Sequence, residues 1–399
     1  MKVLIVGCGA QGSVIATDLI PDPVVDELVC ADINLEKAEH LVKRLKSKKA
    51  SAGLADASKI EDVVKGARGT DIIVNATTWN LKYNLNIMEA ALRTRAHYLD
   101  MASDPFPQLE LNGRFEAAGL TALIDAGCDP GISNVMAREG ADRLDHVNAI
   151  RIRHYTCVEG REIISTWCPE TAWHDMAIEP TVFENGEYKK LPQFSGEEVY
   201  KFPDPVGPQT VFYHDHEEPV TLPHFIGKGI KYADYKLGGP VLQLAKQLYR
   251  LGLLGTEPVD VKGAKITPLD LFFTLIPPTP SMDEMEEKVK AGTIIDAHAC
   301  TVVEVDGEKA GKKVRYTLYT PYMSLREMNK RIPGTTETSY RVGVPAAILT
   351  KLLGKGKIRT KGVIPPECLD KDVRGLFIAE LAKKGIVIYE KTEKVLNTM

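Results

Sequence analysis

The sequence predicts an α/β protein in which a doubly wound parallel sheet carries an inserted α+β domain with a mixed sheet. Three observations support this fold class. Strand-like and helix-like segments alternate through the first 130 residues, segments that alternate apolar and polar residues follow, and helical segments return near the C-terminus. With 399 residues, the chain is longer than one hydrophobic core usually supports, so two domains are expected.

Composition and charge narrow the possible partners. The chain is 44% hydrophobic and 26% charged, and no apolar run approaches the roughly 18 residues that a membrane span needs. Acids and bases are interleaved around a net charge of −4, which argues against nucleic acids and membrane surfaces as partners. The seven cysteines form no CxxC pair, so we expect reduced thiols and no bound metal. The N-terminus does not resemble a secretory signal, which predicts a cytoplasmic protein.

The first predicted strand leads into a glycine-rich turn. The apolar run VLIVG ends at Gly7, and a segment with helical periodicity follows. With Gly9 and Gly12, Gly7 fits the pattern G-x-G-x-x-G, in which the glycines allow a tight turn, approach of a pyrophosphate and close packing of the helix. The first helical residues, Ala10 and Gln11, offer backbone N–H groups to phosphate. We therefore predict a Rossmann-type dinucleotide site, although ordinary turns also contain such glycines.

An acid follows the second predicted strand. ELVCAD ends at Asp32, about where the dinucleotide fingerprint places the residue that binds the adenosine ribose. A carboxylate there repels a 2′-phosphate, so NAD is the expected cofactor and NADP is disfavoured. The alternative, a cap for the next helix, suits Asn34 better than Asp32.

Polar residues follow the next predicted strands as well. Ligands of a doubly wound sheet bind at the carboxyl ends of its strands. The strand DIIVNAT therefore predicts contacts along the cofactor toward its nicotinamide from Asn75, Ala76, Thr77 and Thr78. Asp56 is expected near the adenine if it follows a strand of its own. Asp100, in HYLDMA, either binds substrate or accepts backbone hydrogen bonds from a neighbouring loop.

The stretch LIDAGCDPGISN, residues 123–134, places an acid in a rigid bend. Pro130 and Gly131 restrict the backbone directly after Asp129. A carboxylate held in this way can bind a substrate ammonium group or relay protons. It can equally cap the helix predicted from ISNVMAREGADRL.

Four stretches resemble the saccharopine dehydrogenase superfamily, and within it the L-lysine 6-dehydrogenases and saccharopine reductases. They are MKVLIVGCGAQGS with the acid at 32, HYLDMAS, AGCDPGISN, and YRVGVPAAILTKLLGKGKIRTKGVIPPE at 340–367. The resemblance implies a nucleotide-binding domain made of residues 1–130 and 335–399. It also implies that residues 131–334 form an inserted substrate-binding and dimerisation domain. Alternating segments at 147–155 and 314–320 independently support a mixed sheet there.

The middle of the chain offers further candidate site residues. His214 and His216 would share one face if their segment were a strand. We expect His214 to accept a proton because the pKa of imidazole lies near neutrality, whereas an HxH pair alone is weak support for a metal site; an exposed polar loop is the alternative. The resemblance implies that Thr221 contacts substrate. Arg153 could pair with a substrate carboxylate if it lies in a cleft, but a solvated strand face is the favoured alternative.

Taken together, the motifs and the resemblance predict an NAD-dependent oxidoreductase acting on the C–N bond of an amino acid. Oxidative deamination, as in L-lysine 6-dehydrogenases, is the leading expectation, with Asp129, Asp100 and His214 binding ammonium or transferring protons. One alternative is reductive condensation, as in saccharopine or carboxynorspermidine reductases. The other is a dinucleotide-binding sensor without turnover. Members of this family are usually oligomeric, so a homodimer is expected.

Overall fold

The computed structural model describes residues 1–102 and 104–394, and the chain divides into two compact units. The first unit consists of Met1–Arg138 and Met328–Ile388. The second consists of Glu139–Glu327 and the described chain from Tyr389 onward. The boundaries predicted from the sequence lie after residue 130 and before residue 335, whereas these units divide after Arg138 and before Met328.

Short strands and helices alternate along most of the chain. In chain order the strands are β1 (Lys2–Val6), β2 (Glu27–Asp32), β3 (Ala50–Leu54), β4 (Ile72–Asn75), β5 (His97–Leu99), β6 (Thr121–Leu123), β7 (His146–Gly160), β8 (Thr181–Glu184), β9 (Glu187–Lys190), β10 (Glu198–Lys201), β11 (Pro208–Tyr213), β12 (Tyr232–Gly238), β13 (Val259–Val261), β14 (Ala264–Ile266), β15 (Ile294–Lys309), β16 (Lys312–Thr320), β17 (Gly362–Ile364) and β18 (Tyr389–Lys394). The helices are α1 (Ala10–Leu19), α2 (Leu35–Leu45), α3 (Ile60–Gly66), α4 (Leu81–Thr94), α5 (Pro105–Leu109), α6 (Asn112–Ala118), α7 (Ile132–Ala141), α8 (Pro169–Asp175), α9 (Glu218–Ile226), α10 (Pro240–Arg250), α11 (Pro268–Leu275), α12 (Met282–Lys290), α13 (Leu325–Arg331), α14 (Glu337–Gly354) and α15 (Lys371–Lys383).

The first unit contains a parallel sheet with the strand order β3-β2-β1-β4-β5-β6-β17. The central strands are buried on both faces, as the continuous apolar run at residues 3–6 predicts. From β1 the chain adds strands first on one side, as β2 and β3, and then on the other side, beginning with β4. The carboxyl ends of β1 and β4 therefore form the topological switch point, at which ligands of such sheets bind. The predicted fold class is confirmed.

One edge of this sheet comes from the C-terminal part of the chain. Strand β17 lies beside β6, the strand that leads into the Asp129 bend. The segment Gly362–Ile364 is buried and only three residues long, which is too short for a periodic pattern to reveal it in the sequence. The C-terminal helices predicted to rejoin this unit are α14 and α15.

The second unit contains a mixed sheet with the path β10-β11-β12-β7-β15-β16-β18. Strand β7 pairs in parallel with β12 and antiparallel with β15, so the sheet is mixed as predicted. The last strand, β18, pairs antiparallel with β16, whereas the sequence assigns residues 335–399 entirely to the first unit. Its residues YEKTEK are all exposed, so no apolar pattern indicates its partner.

No helix among the described residues combines the length and the apolar character that crossing a membrane requires.

Candidate functional site

The glycine turn between β1 and α1 leaves room for a phosphate. A side-chain Cβ at Gly7, where φ is +103°, would lie 2.4 Å from the carbonyl oxygen of Ala76, and one at Gly12 would lie 1.9 Å from the carbonyl oxygen of Gly7. Packing therefore requires both glycines. A Cβ at Gly9, in contrast, would meet no atom within 4 Å. Because no side chain among the described residues caps the N-terminus of α1, which begins at Ala10, its N–H groups fit an anionic ligand.

The carboxylate of Asp32 lies directly beside this turn. Its Oδ2 accepts a 2.7 Å hydrogen bond from the backbone N–H of Cys8, and its Oδ1 accepts one of 2.9 Å from the N–H of Asn34. Asn34 caps α2 by accepting from the N–H of Glu36, as the sequence suggests. Asp32 thus joins the end of β2 to the glycine turn, and its negative charge stays near the expected ribose position.

The residues after β4 form a short hydrogen-bonded turn. Asn75 Oδ1 accepts hydrogen bonds from the backbone N–H of Thr77 at 3.1 Å and from its hydroxyl at 2.7 Å. Ala76 packs over Gly7, and Thr78 is exposed. All four predicted residues of this turn therefore lie at the switch point of the sheet.

Asp56 lies in the turn that precedes α3. Its Oδ1 accepts hydrogen bonds from the backbone N–H and the hydroxyl of Ser58, and its Oδ2 lies 3.0 Å from Lys59 Nζ. These contacts, the Ser58 hydroxyl first, lower the pKa of Asp56 to about 2. Asp56 does follow a strand of its own, β3, and it also stabilises the local turn.

Asp100 is enclosed in a hydrogen-bond network of the first unit. Its side chain is 1% exposed, and its Oδ2 accepts from Gln108 Nε2 at 2.6 Å, from the Tyr98 hydroxyl at 2.8 Å and from Asn84 Nδ2 at 3.2 Å. Its Oδ1 accepts from the backbone N–H of Asp125 at 2.9 Å. Burial raises the pKa of Asp100 to about 6, and the hydrogen bonds oppose this shift. The structural alternative for Asp100 expects backbone donors, and one of the four donors, the N–H of Asp125, is of that kind; the other three are side chains.

The Asp129 bend is closed by backbone contacts. A Cβ at Gly131, where φ is +135°, would lie 2.0 Å from the carbonyl oxygen of Gly127, so this position requires glycine. Gly127 N–H donates to the carbonyl oxygen of Pro130 at 2.9 Å, and Gly131 N–H donates to Asn134 Oδ1 at 2.8 Å. The bend therefore holds Asp129 in a defined position.

A buried arginine that sequence reasoning missed lies beside this bend. Arg341 of α14 is 4% exposed, its Nη2 lies 3.5 Å from Cys128 Sγ, and its Nε lies 3.6 Å from Glu337 Oε1. It also interacts electrostatically with Asp129. Arg341 and Cys128 are 213 positions apart, so no local pattern could have joined them. Asp129 thus lies next to a fixed positive charge within the first unit.

In the second unit, His214 lies in the loop between β11 and α9, so the condition that its segment be a strand is not met. Burial, together with smaller contributions from the neighbouring His216 and His154, lowers the pKa of His214 to about 3. The ring is therefore uncharged and a weak base at neutral pH, in contrast to the near-neutral imidazole on which its expected role depends.

Four residues of the second unit form what we call the acid–histidine cluster: Asp175, His216, Glu217 and Glu218. The His216 ring stacks on Tyr235 at a centroid distance of 3.8 Å, and its Nδ1 lies 2.6 Å from Glu218 Oε2 and 3.4 Å from Glu217 Oε2. Donor atoms of His216, Glu217 and Glu218 all lie within 4.8 Å of one another. Such a group can hold a cation, whether an ammonium group or a metal ion.

Two acids of this cluster have strongly raised pKa values. Burial raises the pKa of Glu217 to about 8; Glu218 and Asp175 add to the shift, and His216 opposes it. Burial also raises the pKa of Asp175 to about 7, with Asp215 adding to it and His216 opposing it. Within the described residues, no hydrogen bond to Asp175 is found. Both acids can therefore exchange protons near neutral pH.

The two remaining predicted substrate residues are enclosed by protein. Arg153 is 3% exposed, pairs with both carboxylate oxygens of Asp234 at 2.8 and 3.1 Å, and donates through Nε to Glu198 at 2.7 Å. Its guanidinium is thus committed to two carboxylates of the second unit. Thr221, in α9, is 1% exposed.

Asp175 was not identified as a candidate site residue in the sequence analysis. It ends α8, whereas Glu217 precedes α9, and only the fold brings these residues together. An acid at the end of a short helix has no distinctive sequence signal. The crowding of two histidines and three acids at 214–218 was the available indication of a site.

Sequence models of two domains match the chain. The saccharopine dehydrogenase C-terminal domain matches residues 127–386, and the saccharopine dehydrogenase NADP binding domain matches residues 3–123. The chain belongs to the saccharopine dehydrogenase family. The family and the relatives show that it is an NAD(P)-dependent dehydrogenase acting on CH–NH or CH–NH2 groups. The alternative of a sensor without turnover is therefore not supported.

Individual members of this family are similar along nearly the whole chain. Carboxynorspermidine synthase of Vibrio alginolyticus is 25% identical, over 93% of this chain and 93% of that protein. Carboxyaminopropylagmatine dehydrogenase of a Synechocystis species is 24% identical, over 98% of this chain and 97% of that protein. The structure of apo saccharopine dehydrogenase (L-Glu forming) from Saccharomyces cerevisiae is 16% identical, with a TM-score of 0.72 over 98% of this chain and 99% of that one, and shows the shared fold.

Proposed function

We propose that this dehydrogenase forms a secondary amine by reductive condensation of an amino-acid aldehyde with a second, cationic amine. The similarity to carboxynorspermidine synthase and carboxyaminopropylagmatine dehydrogenase along nearly the whole chain carries this proposal. Those names describe an amine that bears a carboxy-aminopropyl group. The relatives thus favour the condensation alternative over the expected oxidative deamination of L-lysine.

The first unit is proposed to bind the cofactor. The open space above Gly9 and the N-terminus of α1 suit a pyrophosphate, and the carboxylate of Asp32 suits the ribose diol. Because Asp32 repels a 2′-phosphate, we propose NAD(H) as the preferred cofactor, although the matching domain is described as NADP binding. When bound, the nicotinamide supplies or accepts the hydride.

The acid–histidine cluster is proposed to bind the cationic end of the amine and to manage protons. Three carboxyl groups close together repel one another when ionised, and a bound ammonium or guanidinium group relieves that repulsion. With pKa values of about 7 and 8, Asp175 and Glu217 can donate and accept protons at neutral pH. Condensation needs such groups, because the carbinolamine loses water before the iminium carbon is reduced.

A spectrophotometric assay that follows the reduced cofactor tests this proposal. Purified protein is mixed with NADH or NADPH, 2-amino-4-oxobutanoate and one amine from a panel containing diamines, agmatine, L-lysine and L-glutamate. We expect reduced cofactor to be consumed only when the aldehyde and a cationic amine are both present, and mass spectrometry to find the joined secondary amine. NADH formation from L-lysine and NAD+ alone, without activity in the condensation assay, would instead support oxidative deamination.

A further inference from the structure

The paired ends of β7 and β15 carry three metal-ligating side chains on one face of the second sheet. Cys157 and Glu159 are two positions apart on β7, so their side chains point to the same side. His298 of β15 pairs directly with Cys157 across the antiparallel ladder and shares that face. The Cys157 sulfur, a Glu159 carboxylate oxygen and a His298 ring nitrogen all lie within 4.8 Å of one another.

A second observation concerns the His298 ring. Its Nδ1 atom is shielded from solvent and has no hydrogen-bond partner in the described part of the chain. The rings of Tyr322 and Tyr155 pack against the imidazole, at centroid distances of 4.6 and 5.9 Å, and restrict its orientation. A buried polar atom without a partner is unfavourable, and a bound cation together with its water would satisfy such a site.

The neighbouring acid Asp296 is excluded as a ligand by its own contacts. It pairs with Glu159 in the ladder, but its Oδ1 accepts from the backbone N–H groups of Ala297 and Leu325, both at 2.8 Å. Its Oδ2 accepts from the Tyr322 hydroxyl. Asp296 therefore holds the surrounding chain in place and contributes negative potential to the face that bears the three donors.

We propose that Cys157, Glu159 and His298 form a binding site for a divalent transition metal of the Zn²⁺ class. A thiolate and an imidazole select such ions over Mg²⁺ and Ca²⁺, which prefer oxygen ligands. Three protein ligands leave the fourth tetrahedral position to water. With metal–ligand distances of about 2.0–2.3 Å, the donor atoms of a bound ion lie closer together than the 4.8 Å within which these three donors are found. Small side-chain movements therefore complete the site.

The site has a structural consequence. The cation joins the C-terminal end of β7 to the beginning of β15, and Cys157 releases its thiol proton to solvent on binding. Because the three donors meet only in the folded sheet, the cation stabilises the native state over the unfolded chain.

Cobalt binding tests the proposal on full-length protein without a polyhistidine tag, after treatment with a chelator. We expect Co²⁺ to produce a thiolate-to-cobalt charge-transfer absorption that saturates at one ion per chain and is abolished by Zn²⁺. Zn²⁺ should raise the melting temperature, and Mg²⁺ should not. Cys157→Ser should abolish the absorption. His298→Gln and Glu159→Gln should weaken Co²⁺ binding by roughly tenfold or more, since loss of an outer-shell partner alone costs that much.

Cys168→Ser is the matched control, because Cys168 is another partly buried thiol of the second unit that lies outside this cluster. It should keep the absorption and the Zn²⁺-dependent melting shift. Melting curves without metal show whether each variant folds. If Cys157→Ser does not fold, His298→Gln and Glu159→Gln still test the site. The proposal is wrong if Co²⁺ binds the wild type without charge-transfer absorption, or if folded variants of the three residues respond like the wild type.

Discussion

Asp100 of the first unit is buried and the acid–histidine cluster of the second unit is buried or partly buried, but their surroundings differ. Asp100 is met by three side-chain donors and a backbone N–H, and its pKa rises only to about 6. Asp175 and Glu217 lie near other acids, and their pKa values rise to about 7 and 8. Hydrogen bonds therefore oppose the cost of burying charge in the first case, while in the second case His216 opposes it and repulsion between neighbouring acids adds to it. The first arrangement suits a structural role and the second suits cation binding and proton transfer.

The largest expected effect is on catalysis by the second unit. Replacing Asp175 by Asn removes a proton-transfer group without changing its size, so kcat/KM in the condensation assay should fall by roughly 10²- to 10⁴-fold. Steady-state kinetics with the panel's best amine measures this. Glu170→Gln, an exposed acid on the same helix, is the control and should keep wild-type activity. Equal activity of the Asp175 variant and the wild type would remove Asp175 from the proposed mechanism.

Asp100→Asn tests the other half of the comparison. An amide cannot accept as well as a carboxylate, and its NH2 group would face the donors of Gln108 and Asn84, so the free energy of unfolding should drop by about 1–3 kcal/mol. Urea denaturation measures this change. Glu61→Gln, which breaks a surface ion pair with Arg93, should have little effect. A stable Asp100 variant that has lost activity would instead support the substrate-binding alternative.

The pH dependence of substrate binding follows from the raised pKa values in the cluster. Asp175 and Glu217 are mostly protonated at pH 6 and ionised at pH 9, so the KM for a cationic amine should fall with rising pH by up to about tenfold per pH unit. Glu217→Gln should flatten this profile. A KM independent of pH across this range would argue against the cluster as the cation site.

The same raised pKa values affect stability in the opposite direction. An acid whose pKa is higher in the folded state than in the unfolded state stabilises the fold most at low pH, below its unfolded pKa of about 4. That contribution is lost as the pH rises through 7 and 8. Melting temperatures recorded from pH 6 to 9 should therefore fall less steeply for Glu217→Gln than for the wild type.

The smallest expected effect concerns Asp32. With two backbone donors, Asp32 is intermediate between Asp100, which has four donors, and Asp175, which has neighbouring acids instead. Asp32→Ala should weaken NAD binding by roughly three- to tenfold, which corresponds to one hydrogen bond of about 0.5–1.5 kcal/mol. Isothermal titration with NAD and NADP measures the change, and the preference for NAD should decrease. Unchanged affinity for NAD in a folded variant would refute the ribose assignment.

Local patterns were sufficient for much of the fold. The buried run at 3–6, the glycine turn after it and the alternation through residue 130 predicted the parallel sheet. A strand buried on both faces is a continuous apolar run in the sequence, and positions with positive φ angles are usually glycine. Strands without a distinctive residue pattern were missed. β17 is three residues long and β18 is wholly exposed, so only their pairing partners define them as strands.

The candidate sites divide in the same way. The glycine turn after β1 and the acid after β2 follow a fixed spacing, so the sequence could predict that they lie together; their role in binding a dinucleotide stays a prediction. Hydrogen-bond partners could not be predicted, so the sequence left the role of Asp100 open and assigned His214 a near-neutral pKa. Whether a carboxyl group meets donors, as Asp100 does, or other acids, as Asp175 does, depends on neighbours that are distant in the chain.

The sequence by itself thus determined the class of fold, the family and the position of the glycine turn after β1, since these depend on short-range periodicity and on residues with special backbone freedom. The tertiary structure alone decided that Arg341 lies beside Asp129, that Asp175 joins the glutamates before and within α9, and that Cys157 faces His298. Charge, burial and metal-ligating geometry arise from contacts between distant segments, and folding is the step that creates those contacts.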